Sequence, residues 1–209
     1  MKYKRINNTP FIRHRVFYPF CTWDDAFTED ELNEIENYCE TFDKETAKVF
    51  DPTKDLDDIR KSKVAWFSKF QHPKLHYFFD RLNLIIEKIN EDYYNYDLNG
   101  YSQIQYTTYD EKENGEYGYH IDMHSGETMD DEHMKYSEAR KLSLSLILSD
   151  SKSYEGGKFT MKLGEDEFEV EQRRGRIIFF PSFLLHKVHP VTKGIRKSIV
   201  TWVEGPKFI

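Results

Sequence analysis

Residues 140–150 read R140-K-L-S-L-S-L-I-L-S-D150. Leu142, Leu144, Leu146 and Leu148 alternate with Ser143 and Ser145, a period of two that belongs to a β-strand, where successive side chains leave the pleat on opposite faces. The same period holds upstream, where Ile104, Tyr106 and Thr108 alternate with Gln103, Gln105 and Tyr109. Further strands are expected through G156-G-K-F-T-M-K-L163, D166-E-F-E-V-E-Q172, G175-R-I-I-F-F-P181 and from Ile195 to Val203, with turn residues between them. From Tyr101 onward the chain is a succession of short strands.

Before Tyr101 the pattern is helical. T28-E-D-E31 is a capping box, and Leu32, Ile35, Cys39 and Phe42 follow it at helical spacing. Pro73 opens a second helix, in which Leu75, Phe78, Phe79, Leu82, Ile85, Ile86 and Ile89 make one apolar stripe. Between the two helices, Asp43 to Lys61 is charged, contains Pro52 and suits a loop, and Lys63 to Phe67 reads as a short edge strand. Helices followed by seven or eight short strands predict an α+β, mainly β protein in which helices pack on one face of an antiparallel sandwich or jelly roll. We assign the 209 residues to one domain, with 1–100 as helical support and 101–206 as the core.

Composition narrows the function. Aromatic residues make up 16% and the hydrophobic fraction is 38%, enough apolar surface to offset chain entropy. The formal net charge is −7 and basic residues gather only in short clusters such as Arg173 to Arg176, so nucleic acid is a poor partner. Cys21 and Cys39 are too few for a disulfide framework or a thiolate zinc cluster and read as reduced thiols in a cytoplasmic protein, although one disulfide between them stays open. No apolar run has the length of a signal or a membrane span.

The chemistry concentrates in Y117-G-Y-H-I-D122. On a strand His120 and Asp122 share a face, so one ion reaches both. Downstream, F179-F-P-S-F-L-L-H186-K-V-H189 offers His186 and His189 at the end of an apolar strand, and Arg196, Ser198, Val200 and Trp202 share one face of the next. Two histidines and a carboxylate suit non-haem Fe(II), and zinc fits the same three ligands. A buried arginine beside such a site suits bidentate capture of a carboxylate on a metal-chelating cosubstrate, which points to 2-oxoglutarate.

With R140-K-L-S-L-S-L-I-L-S-D, Y154-E-G-G-K-F and F180-P-S-F-L-L-H-K-V-H-P-V-T-K-G-I-R196 in order, the chain resembles the Fe(II)/2-oxoglutarate-dependent oxygenases, and among them the prolyl 4-hydroxylase-like branch with its PKHD-type hydroxylases. The resemblance spans roughly Tyr101 to Pro206. It implies a double-stranded β-helix, Fe(II) on His120, Asp122 and His186, the distal carboxylate of 2-oxoglutarate on Arg196, a hydrogen bond from Tyr109 to that cosubstrate, and Trp202 and Leu146 lining the pocket. Phe179, Phe180 and Leu185 are expected as its apolar walls. The spacing to Arg196 selects His186 over His189, which a three-residue step turns off the pocket face. His124 reads as a loop residue, and Gly156 with Gly157 as a turn.

The activity implied is hydroxylation, with O2 consumed and succinate and CO2 released. The retained Asp122 fits this, because halogenating members of the family lack that carboxylate. The implied substrate is a prolyl residue of a peptide or protein, and ascorbate enters as a candidate auxiliary reductant. Alternatives are an oxygenase acting on a small molecule, a free amino acid or nucleic acid, and a non-enzymatic jelly-roll metal binder. The nucleic-acid branch carries a second arginine where this chain has Trp202. The segment from Met123 to Ala139 is read either as a lid or, equally, as an exposed acidic loop without function. The residues are silent on oligomeric state.

Overall fold

The alternating segments pair into two antiparallel sheets. The computed structural model describes residues 17–47, 60–123 and 139–206. In chain order the elements are β1 (Cys21–Trp23), α1 (Glu29–Glu40), β2 (Glu45–Thr46), β3 (Arg60–Lys61), β4 (Lys63–Phe67), α2 (His76–Ile89), β5 (Ile104–Asp110) and β6 (Glu116–His120). They continue with β7 (Ala139–Ile147), β8 (Tyr154–Gly156), β9 (Phe159–Leu163), β10 (Asp166–Val170), β11 (Ile177–Pro181), β12 (Leu185–Val188) and β13 (Val191–Gly205). The larger sheet runs β1-β11-β7-β13-β5-β4-β2, with β8 also paired to β13. The smaller sheet runs β10-β9-β12-β6-β3.

The expected mainly β jelly roll with helical support is present, with more and shorter strands than the periodicity indicated. β1, β2, β3, β8 and β12 are two to four residues long, too short for a period to show. β3 and β2 also fall inside the stretch read as a loop, and β4 lies one strand in from the edge.

The larger sheet divides the core. On one side Leu142, Leu144, Leu146 and Leu148 of β7 and its extension join Ile177, Phe179, Ile199 and Val203, together with Leu32 and Ile35 of α1 and Phe78, Phe79, Leu82 and Ile86 of α2. On the other side, between the sheets, lie Tyr109, Ile147, Phe159, Met161, Ile178, Phe180, Leu184 and Val188. This corrects two expectations. Leu146 packs beneath the helices and Ile147 faces the space between the sheets; of the two phenylalanines, only Phe180 lies on that inner side. Leu185, expected as a wall, is 36% exposed. A one-residue step along a strand exchanges its faces, so the parity set by Leu142 decides all three leucines after it.

The helices are fastened by polar contacts, of which the capping box alone was legible in the sequence. Thr28 Oγ1 accepts from the Glu31 backbone at 3.2 Å and Thr28 N donates to Glu31 Oε2 at 2.9 Å, closing the capping box. The same Glu31 accepts two bonds from Arg81 of α2, at 2.6 and 2.9 Å. Arg174 reaches Glu29, Asn33 and Glu36, and Lys197 of β13 reaches Glu36 and Glu40, so α1 is pinned to the sheet through charges. The basic cluster is thereby largely spent inside the protein. No helix among the described residues is long and apolar enough to cross a membrane. Cys21 and Cys39 are buried and free.

Candidate metal centre

β6 and β12 are antiparallel neighbours, and their register sets His120 directly opposite His186. Asp122 lies two residues beyond His120, past the end of the strand rather than on it as expected. There its backbone N–H donates to Ser182 O at 2.9 Å, in the turn between β11 and β12. That bond swings the carboxylate between the imidazoles: His120 Nε2 is 3.6 Å from Asp122 Oδ1, and His186 Nε2 is 3.5 Å from Oδ2. One ligand atom from each of the three residues lies within 4.8 Å of the others. Asp122 and His186 are buried and His120 nearly so.

Both histidines are oriented alike. His120 Nδ1 is 2.8 Å from Gly118 O and His186 Nδ1 is 2.8 Å from Leu184 O. A carbonyl only accepts, so Nδ1 carries the proton in each ring and the Nε2 lone pair faces Asp122. Burial, assisted by His186, pushes the His120 pKa down to about 3, which keeps that ring neutral. Burial alone would raise the Asp122 pKa, but His186, His120, the Ser143 hydroxyl and the Trp202 indole outweigh it and hold the carboxyl below its ordinary range. Two imidazole Nε2 atoms and a carboxylate face one another at 3.5–3.6 Å, with each Nδ1 committed to a backbone carbonyl. A cation relieves that arrangement, and the donor set suits a divalent iron or zinc with open coordination positions.

Tyr117 stacks on His120 with ring centroids 3.4 Å apart, and Phe180 and Phe159 close on His186 at 4.7 and 5.7 Å. Arg60 sits over Tyr117 at 4.6 Å and Arg140 over Trp202 at 4.1 Å. Trp202 therefore lies at the Asp122 end of the site. Its indole Nε1 contributes to lowering the Asp122 pKa, but it is buried and has no hydrogen bond of good geometry among the described residues.

Arg196 is 1% exposed, and its neighbour across the β13–β5 pair is Tyr109, whose ring lies 5.4 Å below the guanidinium. Its Nε donates to Gln172 Oε1 at 2.7 Å and its Nη1 to Ser198 Oγ at 3.2 Å. None of the ion pairs among the described residues includes Arg196. Burial lowers its pKa, opposed by Tyr109 and Tyr154. Such a cation, dry and without a counterion, fits a bound carboxylate.

The expected site residues His120, Asp122 and His186 thus come together, and Arg196 and Tyr109 form a second cluster. His189 is turned away as expected, with Nε2 2.7 Å from Thr160 Oγ1. Gly156 and Gly157 make the expected turn, both at positive φ. His124 and the segment read as a lid or a loop, apart from Met123 and Ala139, lie outside the described residues. Sequence reasoning missed Arg60, which carries no local signal; Gln172, Ser182, Arg140, Tyr117 and Ser143 lay within quoted stretches without an assigned role.

The fold and this corner define a jelly-roll protein with a centre of two histidines and one carboxylate. Residues 104–204, just under half of the chain, match the 2OG-Fe(II) oxygenase superfamily. It is similar to PKHD-type hydroxylases. One from Synechococcus sp. (strain CC9902) is 42% identical over 66 residues, covering 32% of this chain and 30% of the relative. Another from Xylella fastidiosa (strain M23) is 36% identical over 98 residues, covering 45% of this chain and 41% of the relative. The matches thus span less than half of either relative. A Pseudomonas putida prolyl-4-hydroxylase shares the fold with a TM-score of 0.69 at 20% identity, over 89% of this chain and 92% of that one. A prolyl hydroxylase from Trichoplax adhaerens, in complex with a hypoxia inducible factor peptide fragment, gives 0.69 at 17% identity over 89% and 83%.

Proposed function

We propose that the chain is an Fe(II)- and 2-oxoglutarate-dependent hydroxylase of a prolyl residue in a peptide or protein, releasing succinate and CO2. The observation that carries this reading is the convergence of His120, Asp122 and His186 in one corner, together with a buried Arg196 guanidinium that has no counterion among the described residues. The likeness to PKHD-type hydroxylases supports hydroxylation, and the prolyl hydroxylases that share the fold support a peptide substrate.

In this reading His120, Asp122 and His186 hold the iron, Arg196 takes the distal carboxylate of 2-oxoglutarate, Tyr109 assists it, and Trp202 lines the pocket beside Asp122. Bound iron and 2-oxoglutarate supply the oxidising chemistry that consumes O2. The protein supplies orientation and dryness. The carbonyls of Gly118 and Leu184 aim both Nε2 lone pairs, Ser182 fixes the Asp122 backbone, and Phe159 and Phe180 exclude water from His186. Two buried free thiols support a reducing, cytoplasmic location. Ascorbate as an auxiliary reductant belongs to the same reading.

Anaerobic mixing with Fe(II) and 2-oxoglutarate is expected to give a visible charge-transfer band. Air should then release succinate, faster with a proline-containing peptide that gains the mass of one oxygen atom and with ascorbate present. No band and no succinate would overturn the oxygenase reading. Succinate release without oxidation of any peptide in a broad panel would overturn only the prolyl substrate.

A further inference from the structure

The guanidinium of Arg196 is held by neutral groups alone. Gln172, two residues past the end of β10, accepts from Arg196 Nε at 2.7 Å through Oε1. Its other end is fixed, because Gln172 Nε2 donates to Gly157 O at 2.9 Å. These two partners determine which end of the amide faces the arginine. Gly157 is itself anchored by its N–H to Pro190 O at 2.9 Å, and a Cβ there would stand 3.1 Å from Arg196 Cδ. The side chain thus lies in a slot built from the β8–β9 turn and the residues after β10. Ser198 takes Nη1, and the neutral Tyr154 hydroxyl is a further side-chain hydrogen-bond partner of the guanidinium.

We propose that Gln172 is a positioning residue for the cosubstrate, aligning the Arg196 fork for a carboxylate without neutralising it. The proposal rests on the reading of Arg196 as the 2-oxoglutarate arginine. A buried arginine is ordinarily compensated by an acidic partner. A glutamate in place of Gln172 would make the same bond in the same volume but cancel the charge that a diacid needs. The amide supplies geometry and leaves the charge for the ligand.

The test uses Mn(II)-loaded protein, in which binding is read without turnover, and titrates 2-oxoglutarate and oxalate by calorimetry. Oxalate chelates the metal but has no distal carboxylate. Gln172→Ala should weaken 2-oxoglutarate roughly tenfold or more, the order expected for a lost hydrogen bond to a charged group. Gln172→Glu should weaken it further although it is isosteric. Oxalate and Mn(II) affinities should stay as in the wild type for both variants. The inference is overturned if 2-oxoglutarate affinity stays within about twofold in both variants, or if oxalate affinity falls in parallel. If the wild type binds oxalate but not 2-oxoglutarate, the Arg196 reading itself fails, a result distinct from either.

Discussion

Gly157 offers a sharp test of how tightly the Arg196 slot is built, because a second glycine serves as its control. Gly157 has φ +58°, and a Cβ there would stand 3.0 Å from Val191 Cγ2 and 3.1 Å from both Arg196 Cδ and Tyr154 Cε2. All three neighbours are buried. Gly164 has nearly the same backbone, φ +62°, and a Cβ there would meet nothing within 4 Å. Gly164→Ala therefore bears only the left-handed backbone cost, about 1 kcal/mol. Gly157→Ala adds overpacking against a buried cation, for a total of roughly 2–4 kcal/mol. In a chain of this length the unfolding midpoint should fall by about 3 °C for the first and roughly 6–12 °C for the second in differential scanning calorimetry. The Gly157 variant should also lose 2-oxoglutarate affinity, because Arg196 Cδ has to move, whereas the Gly164 variant should keep it. Equal midpoints for the two variants would refute the tight slot.

Three further outcomes follow from the described contacts. His186→Ala should abolish metal retention after dialysis, measured by elemental analysis, whereas His189→Ala should retain metal because His189 is committed to Thr160. Glu40 has a folded pKa of about 2 against an ordinary 4.5: partial burial opposes ionisation, and Lys197, Lys44 and Tyr106 more than offset it. Its contribution is therefore fully present above pH 4.5 and lost as the pH falls toward 2; allowing for its partial exposure, Glu40→Gln should remove roughly 1–2 kcal/mol of that acid-sensitive stability in urea titrations. Burial raises the thiol pKa of both Cys21 and Cys39, so a thiol reagent should label neither in the native protein and both after unfolding; rapid native labelling would contradict that burial.

Features written in local pattern were legible in advance. The T28-E-D-E31 box, the Leu75 to Ile89 stripe and the leucine–serine alternation of β7 each translate directly into structure, because cap, helix face and strand face are properties of neighbouring residues. The convergence of His120 with His186 was legible only through the ordered motifs, since it depends on which strands pair. Leu146 shows where motif alignment and parity disagree: parity alone places it with Leu142 beneath the helices. Gln172 was invisible because its partners lie elsewhere along the chain, Gly157 between β8 and β9 and Arg196 within β13. Arg60 likewise reaches Tyr117 only because β3 pairs with β6 across a long span of sequence.

The division of the core by the larger sheet gives an engineer a simple rule. Along β7 and β13 alternate positions belong to different problems: one set seats the helices and governs thermal endurance, and the other faces the space between the sheets. Resistance to heat and the lining of that inner space should therefore be open to separate rounds of redesign on the same two strands.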